Sequence, residues 1–273
     1  MPQFVMLTFN GAVNALNMAF YRELLENSKR MNKQNGCAIV ATFFVCGDYL
    51  DYEAVNHLHS WGNEIALHTI RYDSTLVHPR VRAELPVYPY TMDFGFRRSC
   101  NVLPCPQGSY PGLWEVPINV FFPTPSTGDV PCAVAEGCLP QPVTANDTFE
   151  YFKSNFDQFY TTNRAPFPVF LHEGYLRHPE RKAGYLRFVD WLLEKDDVHL
   201  VTVSEVLRFM ENPKRLSDYQ KRPCTGRNDR GTSTCPRPMT CSYKNTPPGG
   251  ERYMRTCSVC PKNYPWVNNP LGN

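Results

Sequence analysis

The stretch Phe4-Val-Met-Leu-Thr-Phe9, followed by Asn10-Gly11, decides the fold of this chain. A short run of almost entirely apolar residues that ends at a turn signal is typical of a strand buried on both faces, as in parallel sheets. Helical and strand patterns then alternate, at Ala15–Met31 (helix), Cys37–Cys46 (strand), Glu53–Trp61 (helix) and Ile65–Ile70 (strand). This order predicts the α/β class, with a parallel sheet or barrel and helices outside it.

The alternation stops after residue 70 and resumes later in the chain. Residues 71–112 contain six prolines and no helical pattern, which is unusual inside a compact domain. Further elements are predicted at Trp114–Phe121 (strand), Phe149–Tyr160 (helix), Val169–His172 (strand), Ala183–Glu194 (helix), His199–Val203 (strand) and Ser204–Met210 (helix). Residues 214–273 are polar and irregular and contain five of the 11 cysteines. We therefore expect one domain at 1–213 and a disulfide-held C-terminal extension at 214–273.

The composition excludes several classes of protein. The chain has 273 residues, of which 42% are hydrophobic and 20% charged, with a formal net charge of +2. This hydrophobic fraction excludes a disordered chain, and the near-neutral charge disfavours a nucleic-acid partner. No apolar run reaches the ~20 residues that a membrane-spanning helix requires.

The 11 cysteines indicate an oxidising compartment and disulfide bonds. The opening Met1-Pro-Gln3 has no secretory signal peptide. We therefore expect either a mature or truncated form of a secreted protein, or a chain whose cysteines are reduced. An odd total leaves one thiol without a partner in the chain, or a partner lost with a missing segment.

Two histidines end predicted strands, where parallel α/β folds place catalytic groups. His68 ends Glu64-Ile-Ala-Leu-His68 and His172 ends Val169-Phe-Leu-His172. Each is either a catalytic or metal-binding side chain or an inert, hydrogen-bonded histidine packed at a strand end.

The cysteine spacing leaves a second kind of metal site to consider. Cys257-Ser-Val-Cys260 has the spacing of half a zinc knuckle, but Cys235 and Cys241 are separated by five residues and do not form the second close pair. Disulfides are therefore favoured over a structural zinc site. Two local pairs are close enough to bridge loops, Cys100 with Cys105 and Cys132 with Cys138.

Six segments of the chain, in order, resemble the NodB-homology domain of chitin deacetylases. They are Leu7-Thr-Phe-Asn-Gly-Ala-Val-Asn14, Ala41-Thr-Phe-Phe-Val45, Gly62-Asn-Glu-Ile-Ala-Leu-His-Thr69, Ser109-Tyr-Pro-Gly-Leu-Trp-Glu-Val-Pro117, Asn163-Arg-Ala-Pro-Phe167 and Phe170-Leu-His172. The end of the chain, from Cys257 through Asn263-Tyr-Pro-Trp-Val-Asn-Asn-Pro-Leu-Gly272, is similar to the extension of arthropod members secreted into the gut and peritrophic matrix.

The resemblance implies a distorted (β/α) barrel that carries one divalent metal, usually zinc, bound by an Asp and two His. It further implies that a neighbouring Asp takes a proton from the metal-bound water, that a His protonates the leaving amine, and that an Arg orients the base. A metal with an open coordination position lowers the pKa of bound water and polarises the acetyl carbonyl.

This chain departs from the family pattern at the site. Asn10 occupies the position of the base, and an amide cannot accept a proton from water near neutral pH. Gly11 occupies the position of the metal-ligating carboxylate and has no side chain. His68 is the one clear metal ligand that the resemblance retains, because no second histidine follows it at a suitable distance, and His172 occupies the general-acid position. Binding of zinc by this chain is therefore doubtful.

A further departure follows Ile70, where Arg71-Tyr-Asp-Ser-Thr75 begins directly. The resemblance places a helix, strands and an Arg-containing motif between these two segments, so the barrel is expected to be incomplete. A skipped exon, an incomplete gene model and a genuine deletion would each produce this pattern. Missing strands expose sheet edges and apolar faces, so we expect a marginally stable chain or one that requires a partner.

These observations predict a secreted chitin deacetylase-like protein that is catalytically impaired or inactive, with chitin or chitin oligomers as its partner and an undetermined oligomeric state. The alternatives are a non-catalytic, chitin-associated structural protein of the peritrophic matrix, and a truncated isoform or gene model. Trp114, Tyr110 and Phe167 are aromatic residues that either stack on sugar rings or pack within the protein.

Overall fold

The computed structural model describes the chain from Met1 to Asn273 except residues 47–48, 67–71, 74–75, 97–104, 225–236, 238, 248, 267 and 270, and it describes residues 72 and 73 by their backbone alone. The strands are β1 (Gln3–Gly11), β2 (Ala41–Val45), β3 (Glu64–Ala66), β4 (Tyr72–Asp73), β5 (Val77–His78), β6 (Tyr90–Thr91), β7 (Trp114–Glu115), β8 (Ile118–Asn119), β9 (Phe167–His172), β10 (Val198–Leu200), β11 (Met239–Tyr243) and β12 (Arg252–Thr256). The helices are α1 (Ala15–Leu25), α2 (Tyr52–Ser60), α3 (Ala145–Tyr160), α4 (Pro179–Leu193), α5 (Val203–Glu211) and α6 (Leu216–Tyr219).

Strand β1 is the centre of a five-stranded parallel sheet. Val5 is in register with both Leu200 of β10 and Phe167 of β9, so these two strands lie on opposite edges of β1. From Leu7 onward, the edge of β1 that pairs with β10 at Val5 pairs with β2 instead. Strand β3 pairs with β2. The α/β class and the parallel sheet predicted from the sequence are confirmed.

Both faces of β1 are buried, and its side chains alternate between two hydrophobic cores. Val5, Leu7 and Phe9 belong to an outer core that includes residues of α1, α3 and α4. Phe4 and Met6 belong to an inner core on the opposite face. This double burial explains why the first strand is apolar at nearly every position.

Helix α5 covers the inner face of the sheet. Val203, Val206 and Leu207 are fully buried in the inner core, and the Phe4 ring lies 4.8 Å from the ring of Phe209, measured between centroids. The expectation that missing strands expose apolar faces does not hold for this face of β1, where Phe4 is 2% exposed. For the elements next to residue 70 it stays a prediction. The expected marginal stability stays a prediction.

A carboxylate fixes the start of α5 on the sheet. Glu64 of β3 accepts hydrogen bonds from the backbone N–H and the hydroxyl of Ser204, and from the Thr42 hydroxyl. Thr42 Oγ1 in turn accepts a hydrogen bond from the Val203 N–H at 3.0 Å. A negative charge beside the first turn of a helix is stabilising, so this network holds the inner cover in place.

Among the described residues, no strand pairs with the outer edge of β3 or of β9, so the described sheet is open there.

Two small sheets, β4-β7-β6 and β5-β8, contain the short strands of the irregular region. The strand predicted at Trp114–Phe121 is wrong in length, because Pro117 separates β7 from β8 and offers no N–H to a partner. The predicted strand Ile65–Ile70 is observed only as β3, and its residues from 67 onward lie outside the described part.

Local hydrogen bonds move two predicted helix boundaries. Helix α1 ends at Leu25 rather than Met31, and the Asn27 carboxamide then accepts a hydrogen bond from the Lys29 N–H, which competes with helical bonding. Helix α3 begins four residues before the predicted start, at a capping box formed by Thr144 and Asp147. Those bonds to Thr144 hold the pKa of the Asp147 carboxyl below its usual value.

The C-terminal region is held by disulfides, as predicted, but it is not wholly irregular. Strands β11 and β12 form an antiparallel hairpin, and α6 places Tyr219 in the inner core. Disulfides join Cys37 to Cys224 and Cys241 to Cys260, and Cys257 is also disulfide-bonded. The alternative of a zinc site at Cys257 and Cys260 is therefore wrong, since both sulfurs are used in disulfides.

The two local cysteine pairs have different outcomes. The predicted bridge between Cys132 and Cys138 is present. Cys105 is disulfide-bonded, and Cys100, its predicted partner, lies outside the described residues. The proposed boundary between 213 and 214 stays a prediction.

Helices α3 and α4 approach closely at Gly184, so Gly184→Ala tests the outer core. An added Cβ at this position would overlap the Ala145 carbonyl oxygen and lie 2.5 Å from the Thr148 Cβ, and both atoms belong to α3. We expect the substitution to lower the free energy of unfolding by about 1–3 kcal/mol, despite the better helix propensity of alanine. Urea unfolding followed by circular dichroism measures this change.

The matched control is Gly174→Ala, because an added Cβ at Gly174 has no atom within 4 Å. This control is expected to leave stability unchanged or slightly raised. Equal midpoints for the two variants would contradict the close approach of the two helices.

Candidate functional site

The carboxyl ends of β1 and β9 bring together three of the residues singled out in the sequence. Asn10 is in register with His172, and Gly11 follows Asn10 on β1. A Cβ built on Gly11 would lie 3.8 Å from Cδ2 of His172, so the imidazole lies beside the bare glycine. The chain therefore folds so that the proposed base, ligand and acid positions are adjacent.

His172 is paired with a carboxylate that the sequence analysis did not identify. Its Nδ1 lies 2.5 Å from Oε1 of Glu136, and the same oxygen accepts a hydrogen bond from the His172 backbone N–H at 3.0 Å. With a carboxylate oxygen as the acceptor, Nδ1 is the donor in this pair, and Nε2 is left for a different partner. The His172 side chain is 58% exposed, so it is hydrogen-bonded but not packed, and its catalytic role stays a prediction.

A disulfide loop presents Glu136 to the histidine. Glu136 lies in a short 3₁₀ turn, Ala135–Gly137, enclosed by the Cys132–Cys138 disulfide. The Tyr151 hydroxyl donates to the Ala135 carbonyl at 2.7 Å and ties the turn to α3. One signal in the sequence could have located this carboxylate, namely the single acidic residue inside the predicted disulfide loop.

Two buried tyrosines lie near the Glu136 carboxylate. Burial raises the pKa of Tyr151 well above its ordinary value, and the negative charge of Glu136 acts in the same direction. Burial also raises the pKa of Tyr175. The positive charge of Arg181 lowers this pKa, and the negative charge of Glu136 raises it. Both phenols therefore stay protonated at neutral pH and cannot serve as bases beside His172.

The donors at the carboxyl end of β1 do not fit a hydrolytic zinc ion. Gly11 supplies no side chain and Asn10 supplies a neutral amide, whereas such sites use three imidazole or carboxylate ligands. His68, the retained ligand position, lies outside the described residues. Among the residues that are described, no group of three His, Cys, Asp or Glu side chains is arranged to hold a metal.

The backbone at Gly11 adds a second obstacle to a carboxylate there. Its φ is +111°, a region that side-chain-bearing residues rarely adopt. Gly11 thus has no side chain to donate to a metal, and its main-chain conformation favours glycine over a residue with a side chain.

The three aromatic residues differ in their surroundings. Phe167 is 1% exposed and packs in the outer core, so it cannot stack on a sugar. Trp114 is half-buried against the inner core. Tyr110 is 43% exposed, and its ring lies over Gly108, where an added Cβ would come within 2.9 Å of the ring.

The loop that carries Tyr110 is held by several hydrogen bonds. The Tyr110 N–H donates to the Met92 carbonyl at 2.9 Å, and the Gly112 N–H donates to the Asp93 carboxylate at 2.6 Å. The bond from Gly112 lowers the pKa of the Asp93 carboxyl, which keeps it ionised. The exposed ring of Tyr110 is therefore presented by an ordered loop.

Comparison with known proteins begins with a negative result, because no protein-family model matches the chain. Chitin deacetylase 8 of Bombyx mori is 29% identical over 337 aligned positions, which cover 99% of this chain and 86% of that protein. Chitin deacetylase 1 of Bombyx mori is 28% identical over 349 positions, covering all of this chain but only 63% of that protein.

Both alignments are longer than the chain. With 273 residues set against 337 aligned positions, at least 64 positions of the first alignment have no residue of this chain. The first relative therefore contains residues, within the aligned region, that have no counterpart here.

Solved structures give weaker similarities. PuuE allantoinase superposes with a TM-score of 0.43 at 13% identity, covering 78% of this chain and 93% of that one. A Mycobacterium smegmatis protein described as a polysaccharide deacetylase superposes with a TM-score of 0.42 at 14% identity, covering 82% and 93%. These TM-scores are too low to carry a conclusion. The sequence comparisons, which extend over nearly the whole chain, establish that it resembles the NodB-type chitin deacetylases of arthropods.

Proposed function

We propose that this chain is a secreted, chitin-associated relative of the chitin deacetylases that does not release acetate at a useful rate. The observation that carries the proposal is the register of β1 and β9, which sets Asn10 and Gly11 beside a well-supported His172. Disulfides support an extracellular location, and no helix in the described part of the chain is long and apolar enough to cross a membrane.

The two halves of amide hydrolysis are unequally supported. Hydrolysis requires an activated water to attack the carbonyl and an acid to protonate the departing amine. The acid half is supported, because the hydrogen bond to Glu136 holds the ring of His172 in one orientation. The water-activating half lacks a base at Asn10 and a ligand at Gly11. Protonation of the amine without attack on the carbonyl gives no product.

We also propose that the residues absent relative to the Bombyx protein include a segment that follows Ile70. The alignment supports this proposal by its excess of at least 64 positions over the 273 residues of the chain. The open edge of the described sheet at β3, the strand immediately before this point, is a second support. The division into 1–213 and 214–273 is proposed on the same resemblance.

Acetate release from N-acetylglucosamine oligomers tests the proposed loss of activity. We expect release at the level of a protein-free blank, with and without added zinc, because no group at the end of β1 can activate water. Bombyx chitin deacetylase 8, assayed in parallel, serves as the positive control. Release that a chelator abolishes and zinc restores would contradict the proposal.

Restoring the carboxylate at position 11 tests the explanation from backbone conformation. We expect Gly11→Asp to lower the free energy of unfolding by about 1–3 kcal/mol, because a side-chain-bearing residue is strained at positive φ. Asn10→Asp, one residue earlier on the same strand, is the matched control and is expected to have a smaller effect. Thermal unfolding measures both, and equal melting temperatures would show that the conformation at Gly11 is no obstacle.

A non-catalytic, chitin-binding role is a second candidate, and the exposed ring of Tyr110 favours it. Aromatic faces contribute about 0.5–1.5 kcal/mol per stacking contact, so Tyr110→Ala is expected to weaken binding to chitin beads by about 2- to 10-fold. The control is Tyr253→Ala, because Tyr253 is also exposed but lies in the C-terminal hairpin. Equal retention of both variants would remove Tyr110 from the binding surface.

A further inference from the structure

The loop closed by Cys132 and Cys138 contains Glu136, whose carboxylate contacts His172. Glu136 lies 36 residues from His172 in the sequence, and its Oε1 contacts both the ring Nδ1 and the backbone N–H of that residue. The second carboxylate oxygen, Oε2, is buried and has no hydrogen-bond partner among the described residues. The carboxylate is thus directed at His172 through a single oxygen.

We infer that the Cys132–Cys138 disulfide is a positioning element for His172, acting through Glu136. The two cysteines are 5.1 Å apart at their Cα atoms and enclose the three-residue turn that carries the carboxylate. A turn of this length has too few internal hydrogen bonds to persist alone, and it has no side-chain cap at its start. The covalent closure supplies the constraint that the turn itself lacks.

The backbone of the loop is anchored at several points, and none of these bonds involves the Glu136 carboxylate. Ala135 is completely buried, and its carbonyl accepts the hydrogen bond from Tyr151. Cys132 exchanges two backbone hydrogen bonds with Phe121, at 2.8 and 2.9 Å. Gln141 donates its amide to the carbonyls of Glu136 and Cys138. These contacts fix the ends of the turn, so the direction of the Glu136 side chain follows from the closed loop.

Among the described residues, Glu136 is the one side chain that is hydrogen-bonded to the His172 ring. The register partner of His172 is Asn10, and the nearest contact on the Gly11 side is to a position that has no side chain. With more than half of its side chain exposed, the ring would otherwise sample several rotamers and both neutral tautomers. A fixed carboxylate at Nδ1 selects one orientation and presents Nε2 outward.

The inference concerns the geometry of one side chain and therefore does not depend on hydrolysis. It can be tested by nitrogen NMR of histidine-labelled full-length protein at a fixed pH above 7, with the His172 signals assigned from their loss in His172→Ala. The test variants are Glu136→Ala, Glu136→Asp and the double variant Cys132→Ser/Cys138→Ser. The matched control is Cys241→Ser/Cys260→Ser, which removes a disulfide from the C-terminal hairpin.

We expect the native protein to show a single Nδ1–H tautomer at His172. Glu136→Ala and the Cys132→Ser/Cys138→Ser variant should lose this signature and show the averaged tautomer pattern of a free imidazole. Glu136→Asp should retain more of it, and the control should retain all of it. An unchanged Nδ1–H signal in the Cys132→Ser/Cys138→Ser variant would overturn the inference.

If that double variant does not fold, Glu136→Ala decides, because it keeps every disulfide and removes a side chain whose carboxylate is hydrogen-bonded, among the described residues, to His172 alone. An unchanged tautomer in that variant overturns the inference as well. An acetate assay has no bearing on either result, so failure of this inference and failure of the proposed function are distinguishable.

Discussion

Burial of β1 on both faces is the constraint on which the rest of the structure depends. Val5, Leu7 and Phe9 pack in the core that includes residues of α1, α3 and α4, and Phe4 and Met6 pack in the core that includes residues of α5. Both edges of β1 are hydrogen-bonded to parallel strands. A shift of register by one residue would exchange the contents of the two cores, so the position of the strand is strongly specified. Asn10 and Gly11 are consequently fixed at the site, and no neighbouring residue of β1 can take their place.

The site is therefore intact as a scaffold and altered in its chemistry. His172 keeps a carboxylate partner on a covalently closed loop, and its ring is accessible to solvent. The resemblance assigns water activation and metal binding to the positions of Asn10 and Gly11, which lie on a different strand from His172. With these roles on separate strands, one could be lost while the other persists. On that assignment, the proposed loss of activity is compatible with a resemblance that extends over nearly the whole chain.

The sequence allowed the main sheet to be predicted because its signals are local. The apolar run at β1, the terminal position of His172 and the short Cys132–Cys138 spacing each lie within a few residues. Glu136 was missed because its partner lies 36 residues away in the chain, and its one local signal, its place inside the predicted disulfide loop, does not reveal that partner. The cover of the inner face by α5 was missed for a similar reason, since the helical pattern does not reveal which face of a sheet a helix packs against. The strand break at Pro117 was readable from the missing N–H of proline and was overlooked.

Zinc binding to the purified full-length chain, followed by native mass spectrometry and titration calorimetry, is the most direct test of this account. Three strong ligands are needed to hold a hydrolytic zinc ion, and the end of β1 supplies none. The account predicts that no zinc remains bound in a one-to-one ratio at micromolar concentrations, while Bombyx chitin deacetylase 8 serves as the comparison protein. A stoichiometric ion that is lost when His172 or its neighbours on β1 are substituted would contradict it.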